Sequence, residues 1–404
     1  MFRRTLNLFR REVWARLPLR VREAILYRAA TPFAPSISPE APARGPIIVV
    51  GMLSTATGLG AAARASHDAL KQAGLQVYGV DLSPLSGHDA VLEGFAFEDG
   101  RKVVGEGTIL LFVGGYLVPL AMLLLGDRVV RGKHVIGHWF WELPRVPDHW
   151  RRALPFVHEI CVNTRFVADA LRPVAVGKKV HIVPYPLAVR GARTSSPDNR
   201  RPFTVLVVFN VSSNFPRKNP CAAIGAFRTA FGSDPSAKLI IKHGHSSVWP
   251  QSVRLMKQAA GDAPNVQFID RVMDDAELAS LYGEADVVMS LHRSEGLGLI
   301  VAEAMSRGLP VIATDWSGTT DFLDARTGLP IGYRLVPLDD PQGTYRDRGM
   351  VWAEPDVDAA SAALRRLYDD PALRATLGAA AAQRVREAFD PERYVRAMRA
   401  LVGG

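Results

Sequence analysis

Cysteine is nearly missing from this chain: Cys161 and Cys221 are the only two in 404 residues, and they fall in different halves. That argues against a disulfide scaffold and a cysteine-ligated metal site, and it fits a reducing compartment. No secretory signal is expected from the first residues either, because arginines interrupt them throughout and leave no apolar h-region. Long uncharged stretches are scarce. One, Thr108 to Gly126, has the length of a membrane span. Gly114, Gly115 and Pro119 divide it, so it is expected to be a buried strand (Ile109 to Val113), a turn and a short helix (Leu120 to Leu125). No internal repeat or low-complexity domain is present. Acids are outnumbered, 40 against 49 bases, giving a net charge of +9 and a pI near 9.7. Such a balance favours an anionic partner without distinguishing nucleotide, nucleic acid and lipid headgroup.

What remains is an ordinary globular composition, 48% hydrophobic and 22% charged, long enough for two domains with full cores. Strand-like and helix-like segments alternate in both halves, which predicts an α/β protein of two doubly wound domains facing a cleft. Residues 1–45 read as a basic amphipathic arm (Arg3, Arg4, Arg10 and Arg11 among Leu6, Leu8 and Phe9) with a Pro/Ala-rich linker from Pro32 to Pro46. The arm suits either an anionic membrane surface, through residues 1–40, or packing on the protein with its arginines solvated. Residues 46–190 form the first domain, 191–202 a polar linker, 203–385 the second domain, and 386–404 a terminal helix. Asp358 is the expected cap region of the helices after residue 355.

The densest chemistry lies between Asp286 and Phe322. Val287 to Leu291 is a strand, His292 to Gly298 a glycine-bearing turn, Leu299 to Arg307 a helix ended by Gly308, and Leu309 to Ala313 a strand. Glu295, Gly296, Leu297 and Gly298 stand where the helix begins. Its free N–H groups and dipole suit an anion, and glycine lets a phosphate come close. A carboxylate repels phosphate, so Glu295 and Glu303 would instead accept from hydroxyls on either side of it, one on a sugar and one on a ribose.

Other candidates flank strand ends, where open α/β sheets bind ligands. Lys133 to Gly137 is a strand followed by His138, Trp139 and Glu142. His138 is a sugar-binding candidate or a satisfied core histidine; Trp139 is packing or a sugar-stacking wall. After the strand Phe203 to Phe209 come Arg217 and Lys218, able to neutralise a diphosphate or to lie solvated. Gly58 and Gly60 lie on a turn before a helix from Ala61 to Gln72; this turn fits neither the dinucleotide fingerprint nor a P-loop. His243 and His245 lack a neighbouring carboxylate or thiolate for a metal.

The string Ser294-Glu295-Gly296-Leu297-Gly298 with Ala302-Glu303-Ala304-Met305, seven residues separating the glutamates, resembles the signature of retaining GT-B glycosyltransferases of family 4. The segments Asp315 to Gly318, Asp321-Phe322, His138 to Leu143 (similar to members acting in bacterial polysaccharide assembly) and Arg217 to Pro220 extend the resemblance. It implies two Rossmann-like domains, acceptor side first and nucleotide-sugar donor side second, with the last helix crossing back to the first. It implies transfer of a hexosyl unit to a saccharide or lipid-linked saccharide without metal or other cofactor. His138, Lys218 and Glu295 take catalytic positions. Arg217, Lys218, Glu295, Gly296, Leu297, Gly298 and Glu303 bind the donor. Gly58 and Gly60 line the cleft, and Glu142 and Trp139 face the acceptor or sugar. Nucleic acid is not an expected partner. The expected location is cytoplasmic, peripheral on the membrane if the arm binds there. The family's Arg six residues before the lysine is here Ser212, with Arg217, Arg271 and Arg293 as possible replacements. Rival readings are a glycosidase, a nucleotide-sugar epimerase on the same fold and a non-catalytic nucleotide-sugar-binding subunit.

Overall fold

A computed structural model describes residues 30–55, 57–85, 94–187, 201–345 and 349–403. Most of the basic arm and of the linker before Arg201 lies outside them. In the first half, six strands form one parallel sheet: β1 Ile47–Gly51, β2 Val77–Asp81, β3 Gly107–Phe112, β4 Lys133–His138, β5 Glu159–Val162 and β6 Lys179–Ile182. Their order is β2-β1-β3-β4-β5-β6. The second half repeats the design with β7 Phe203–Val208, β8 Ala237–His243, β9 Val266–Asp270, β10 Val287–Ser290, β11 Val311–Thr314 and β12 Leu329–Ile331, ordered β12-β11-β10-β7-β8-β9. Helices cover both faces, which is why β1, β3 and β11 are buried at every position. The uncharged stretch resolves as β3 and the helix Val118–Leu125. No described helix is long and apolar enough to cross a membrane.

Several elements differ from the sequence reading. The first-half helix begins at Gly58 rather than Ala61, because the Thr57 hydroxyl caps it by accepting from Gly60 N at 3.2 Å. Gly58 and Gly60 therefore lie in its first turn. A Cβ on Gly60 would fall 2.5 Å from the Met52 carbonyl, so close packing of the β1 exit demands that glycine. The cap near residue 355 is Asp356, accepting from Ala359 N at 2.9 Å, not Asp358. The last two helices, Pro371–Ala388 and Pro391–Val402, lie where expected, separated by a turn at Phe389 and Asp390.

The segment before β1 is no free linker. The carbonyls of Ser38 and Ala41 accept from His158 and His134, and the Thr108 hydroxyl donates to the Arg44 carbonyl at 2.7 Å. Arg201, placed in the second linker, makes a two-pronged ion pair with Asp286 at 2.8 and 2.9 Å. An antiparallel pair, β13 Tyr333–Pro337 and β14 Val351–Pro355, was not anticipated.

Candidate active site

In the second sheet the strand order reverses between β7 and β10, and the crevice beyond such a reversal is where open α/β sheets bind ligands. The two chain segments leaving that point bear Lys218 and Glu295. After β7, Asn214 adopts φ 73° and accepts from Arg217 N at 2.9 Å, starting one helical turn, Phe215–Lys218. Asn219 (φ 52°) ends it and lets the helix Pro220–Phe231 set off anew. Arg293 N donates to the Arg217 carbonyl at 2.7 Å, joining this turn to the one after β10.

Both cations converge on Glu295. Lys218 Nζ lies 2.5 Å from Oε1, and Arg217 Nη1 lies 3.0 Å from Oε2. Burial by itself raises the Glu295 carboxyl, but Arg217 and Lys218 outweigh it and hold the group at about 2. Burial lowers Lys218, with Glu295 partly restoring it. Burial lowers Arg217, but Glu295, Tyr345 and Glu142 together outweigh it, so the group is raised. Its guanidinium also donates to the carbonyls of Ser294 and Ser213, each at 2.7 Å. His292, wholly buried beside this group, is lowered to about 4 chiefly by burial.

The helix Leu299–Ser306 starts at Gly298 (φ 85°), where a Cβ would fall 2.4 Å from Thr319 Cγ2. Gly296 also meets a packing demand. A Cβ there would fall 2.4 Å from the carbonyl of Trp141, so this glycine admits the first half's backbone. Leu297 is core rather than lining: it packs in the large apolar cluster with Val301 and Phe322. Glu303, half-buried, accepts from the Tyr282 hydroxyl at 3.4 Å. Of the arginines considered as replacements at Ser212, Arg217 is engaged as described, Arg271 pairs with Glu277 at 2.6 Å and Arg293 with Glu354 at 2.7 Å.

Opposite, β4 delivers His138, which stacks on Phe112 (4.4 Å) and Phe140 (5.1 Å). Its Nε2 meets Asn163 Oδ1 at 3.2 Å. Asn163 Nδ2 donates to the Val183 carbonyl, so Oδ1 is the acceptor and His138 Nε2 bears the proton. Burial lowers His138 to about 4, against the help of Asn163. Trp139, next in the alternation, points to the other face. It is 0% exposed and edge-on to Trp150, which makes it core and not a sugar-stacking wall. Glu142 turns into the second half: Oε2 accepts from the Tyr345 hydroxyl at 3.0 Å, and its carbonyl accepts from Ser294 Oγ.

Of the histidine pair His243 and His245, His243 ends β8, stacks on Phe209 and faces Asp270 at 3.3 Å. Among the described residues no group of three or more His, Cys, Asp or Glu is placed to hold a metal ion. Sequence reasoning missed Asp340 and Gln342, which reach the Lys218 segment from the connection between β13 and β14, and Tyr345, which reaches Glu142 from the same connection.

Two parallel six-stranded sheets with this crevice define the GT-B architecture. Sucrose-phosphate synthase from Thermosynechococcus elongatus superposes with a TM-score of 0.65 over 89% of this chain and 98% of that one, at 18% identity. HepE from Anabaena, solved with UDP and glucose, gives 0.62 over 88% and 99% at 13% identity, a likeness of fold. Residues 193–384 match the model of the glycosyl transferases group 1. The chain is 40% identical over 111 residues to D-inositol 3-phosphate glycosyltransferase from Kineococcus radiotolerans, covering 27% of this chain and 22% of the relative. It is 31% identical over 173 residues to phosphatidyl-myo-inositol mannosyltransferase from Mycolicibacterium smegmatis, covering 42% and 38%. The matches thus span about a fifth to two fifths of these curated relatives.

Proposed function

We propose that this chain is a retaining glycosyltransferase that moves a hexosyl unit from a nucleotide-sugar to a saccharide acceptor, lipid-linked, in bacterial polysaccharide or glycolipid synthesis. The observation that carries the reading is the buried Arg217–Glu295–Lys218 group at the β7/β10 reversal, beside a helix N-terminus and within the family's segment. Breaking the bond from sugar carbon to diphosphate leaves negative charge on the leaving group. Lys218, Arg217 and the N–H groups at Gly296 to Gly298 stabilise it without a metal. An ammonium has three donors, so Lys218 can hold Glu295 and a phosphate oxygen together. Glu295 accepts from sugar hydroxyls and Glu303 from the ribose diol. The acceptor oxygen attacks on the face the diphosphate leaves, and its proton passes to the departing phosphate oxygen. His138, neutral, offers Nδ1 as an acceptor to a sugar hydroxyl. The basic arm places the protein on the cytoplasmic face of an anionic membrane.

The test is thermal shift of the purified chain against UDP-, GDP-, ADP- and TDP-sugars with and without EDTA. HepE was solved with UDP, and a Corynebacterium glutamicum relative is a GDP-mannose-dependent mannosyltransferase, so both bases belong in the screen. Stabilisation by one class that survives EDTA, with sugar transfer to an acceptor extract, is expected. No shift with any donor overturns the donor site, and an epimerised sugar as product overturns transfer.

A further inference from the structure

The segment leaving β4 crosses from the first half into the second. The Trp141 carbonyl sits over Gly296, Ser294 Oγ donates to the Glu142 carbonyl, and Tyr345 donates to the Glu142 carboxylate at 3.0 Å. The Trp141 and Tyr345 rings meet edge-on at 5.7 Å. Leu143 packs with Tyr345, Met350 and Trp352 in an apolar cluster of its own. The connection that presents Tyr345 is tied to the cationic turn as well. Asp340 accepts from Tyr345 N at 2.7 Å and from Asn214 Nδ2 at 2.8 Å. Gln342 accepts from Phe215 N at 2.7 Å and donates to the Val211 carbonyl at 2.9 Å. One short connection therefore grips both the first half's crossing segment and the turn that presents Arg217 and Lys218.

We infer that Glu142 and Tyr345 form a latch between the two halves, and that Asp340 and Gln342 couple its closure to the placement of Arg217 and Lys218. The two latch residues are positioning residues. With the latch closed, the Glu142 carboxylate of the first half is near enough to act electrostatically on Arg217 and Lys218. A nucleoside diphosphate must open the latch to enter, and the latch must re-form to hold the cations for turnover. The nucleotide step rests on the proposed donor site; the latch itself does not.

The experiment compares the full chain with Tyr345→Phe, which keeps the ring and removes the hydroxyl, and with Glu142→Gln. Paired spin labels on the outer helices of the two halves read the inter-half distance without ligand. Loss of one charge-assisted hydrogen bond is expected to shift the open-to-closed ratio by about tenfold in each variant. The double variant should shift no further than either single one. Stopped-flow binding of UDP and GDP should show faster association, while turnover slows. Unchanged distance distributions in folded Tyr345→Phe and Glu142→Gln overturn the latch. Wild-type chain that binds neither nucleotide overturns the donor site instead, leaving the distance result to stand by itself.

Discussion

Lys218 and Glu303 test the donor site residue by residue. Lys218→Ala should weaken donor binding and slow turnover, whereas Glu303→Ala should weaken binding alone. Each loses a charged hydrogen bond, about 1.5–3 kcal/mol or roughly ten- to a hundredfold in affinity. Titration calorimetry with the donor found by thermal shift decides it, and unaltered affinity in both variants would put the site elsewhere. The buried histidines give a second handle. His138 and His292 are held neutral down to about pH 4, against an ordinary value of 6.5. Below that ordinary value the unfolded chain binds protons that the folded chain refuses, so stability falls as pH drops through the window. Glu295, at about 2, keeps its charge there and opposes nothing. Urea unfolding should give a lower midpoint near pH 5 than near pH 7. Part of that difference should vanish in His138→Gln, and a flat profile would mean these rings are hydrated in solution. The sequence showed that His138 ends a strand among aromatics. It could not show which side chain faces the cleft, because that depends on where β4 stops alternating.

At the scale of elements, the β10–helix–β11 crossover was legible because its signals are local: two apolar runs, a glycine-bearing turn, and Gly308 at φ 76° past the helix end. The antiparallel β13–β14 pair was not, since Asp340, Gln342 and Tyr345 acquire meaning only from contacts more than a hundred residues away in sequence. Gly296 shows the same limit. A glycine at a helix start suits phosphate approach and close backbone packing equally, and only the Trp141 carbonyl reveals the second. Gly296→Ala should therefore cost about 1–3 kcal/mol by overpacking, read as a lower urea midpoint. Full stability in that variant would show that the turn has room to spare and that the halves do not press together there.

At the scale of the molecule, the halves are not independent bodies. One apolar cluster runs from Leu53, Leu70, Tyr185 and Leu187 in the first half through Leu297 and Phe322 to Phe389, Tyr394 and Met398. The terminal helix returns to the first half: Tyr394 meets Ser66, and Arg399 donates to the Ala73 carbonyl at 2.9 Å. This packing separates two roles for the chain's ends. The arm can be tested by deleting residues 1–29 alone, which leaves the bonds of Ser38, Ala41 and Arg44 in place; unchanged binding to anionic vesicles would remove the membrane role from it. The terminal helix has a structural part to play. Tyr394, Val395, Met398 and Val402 are buried, and each such side chain contributes about 1.5–3 kcal/mol. Deleting residues 390–404, which leaves Phe389 against Phe322, should thus strip several kcal/mol from the first half while sparing the second, whose sheet the helix does not complete. Calorimetry should show one endotherm for the full chain and two for the shortened one, the lower belonging to the first half. A single transition at the original temperature after the deletion would mean the halves cohere through the Glu142–Tyr345 side of the cleft instead.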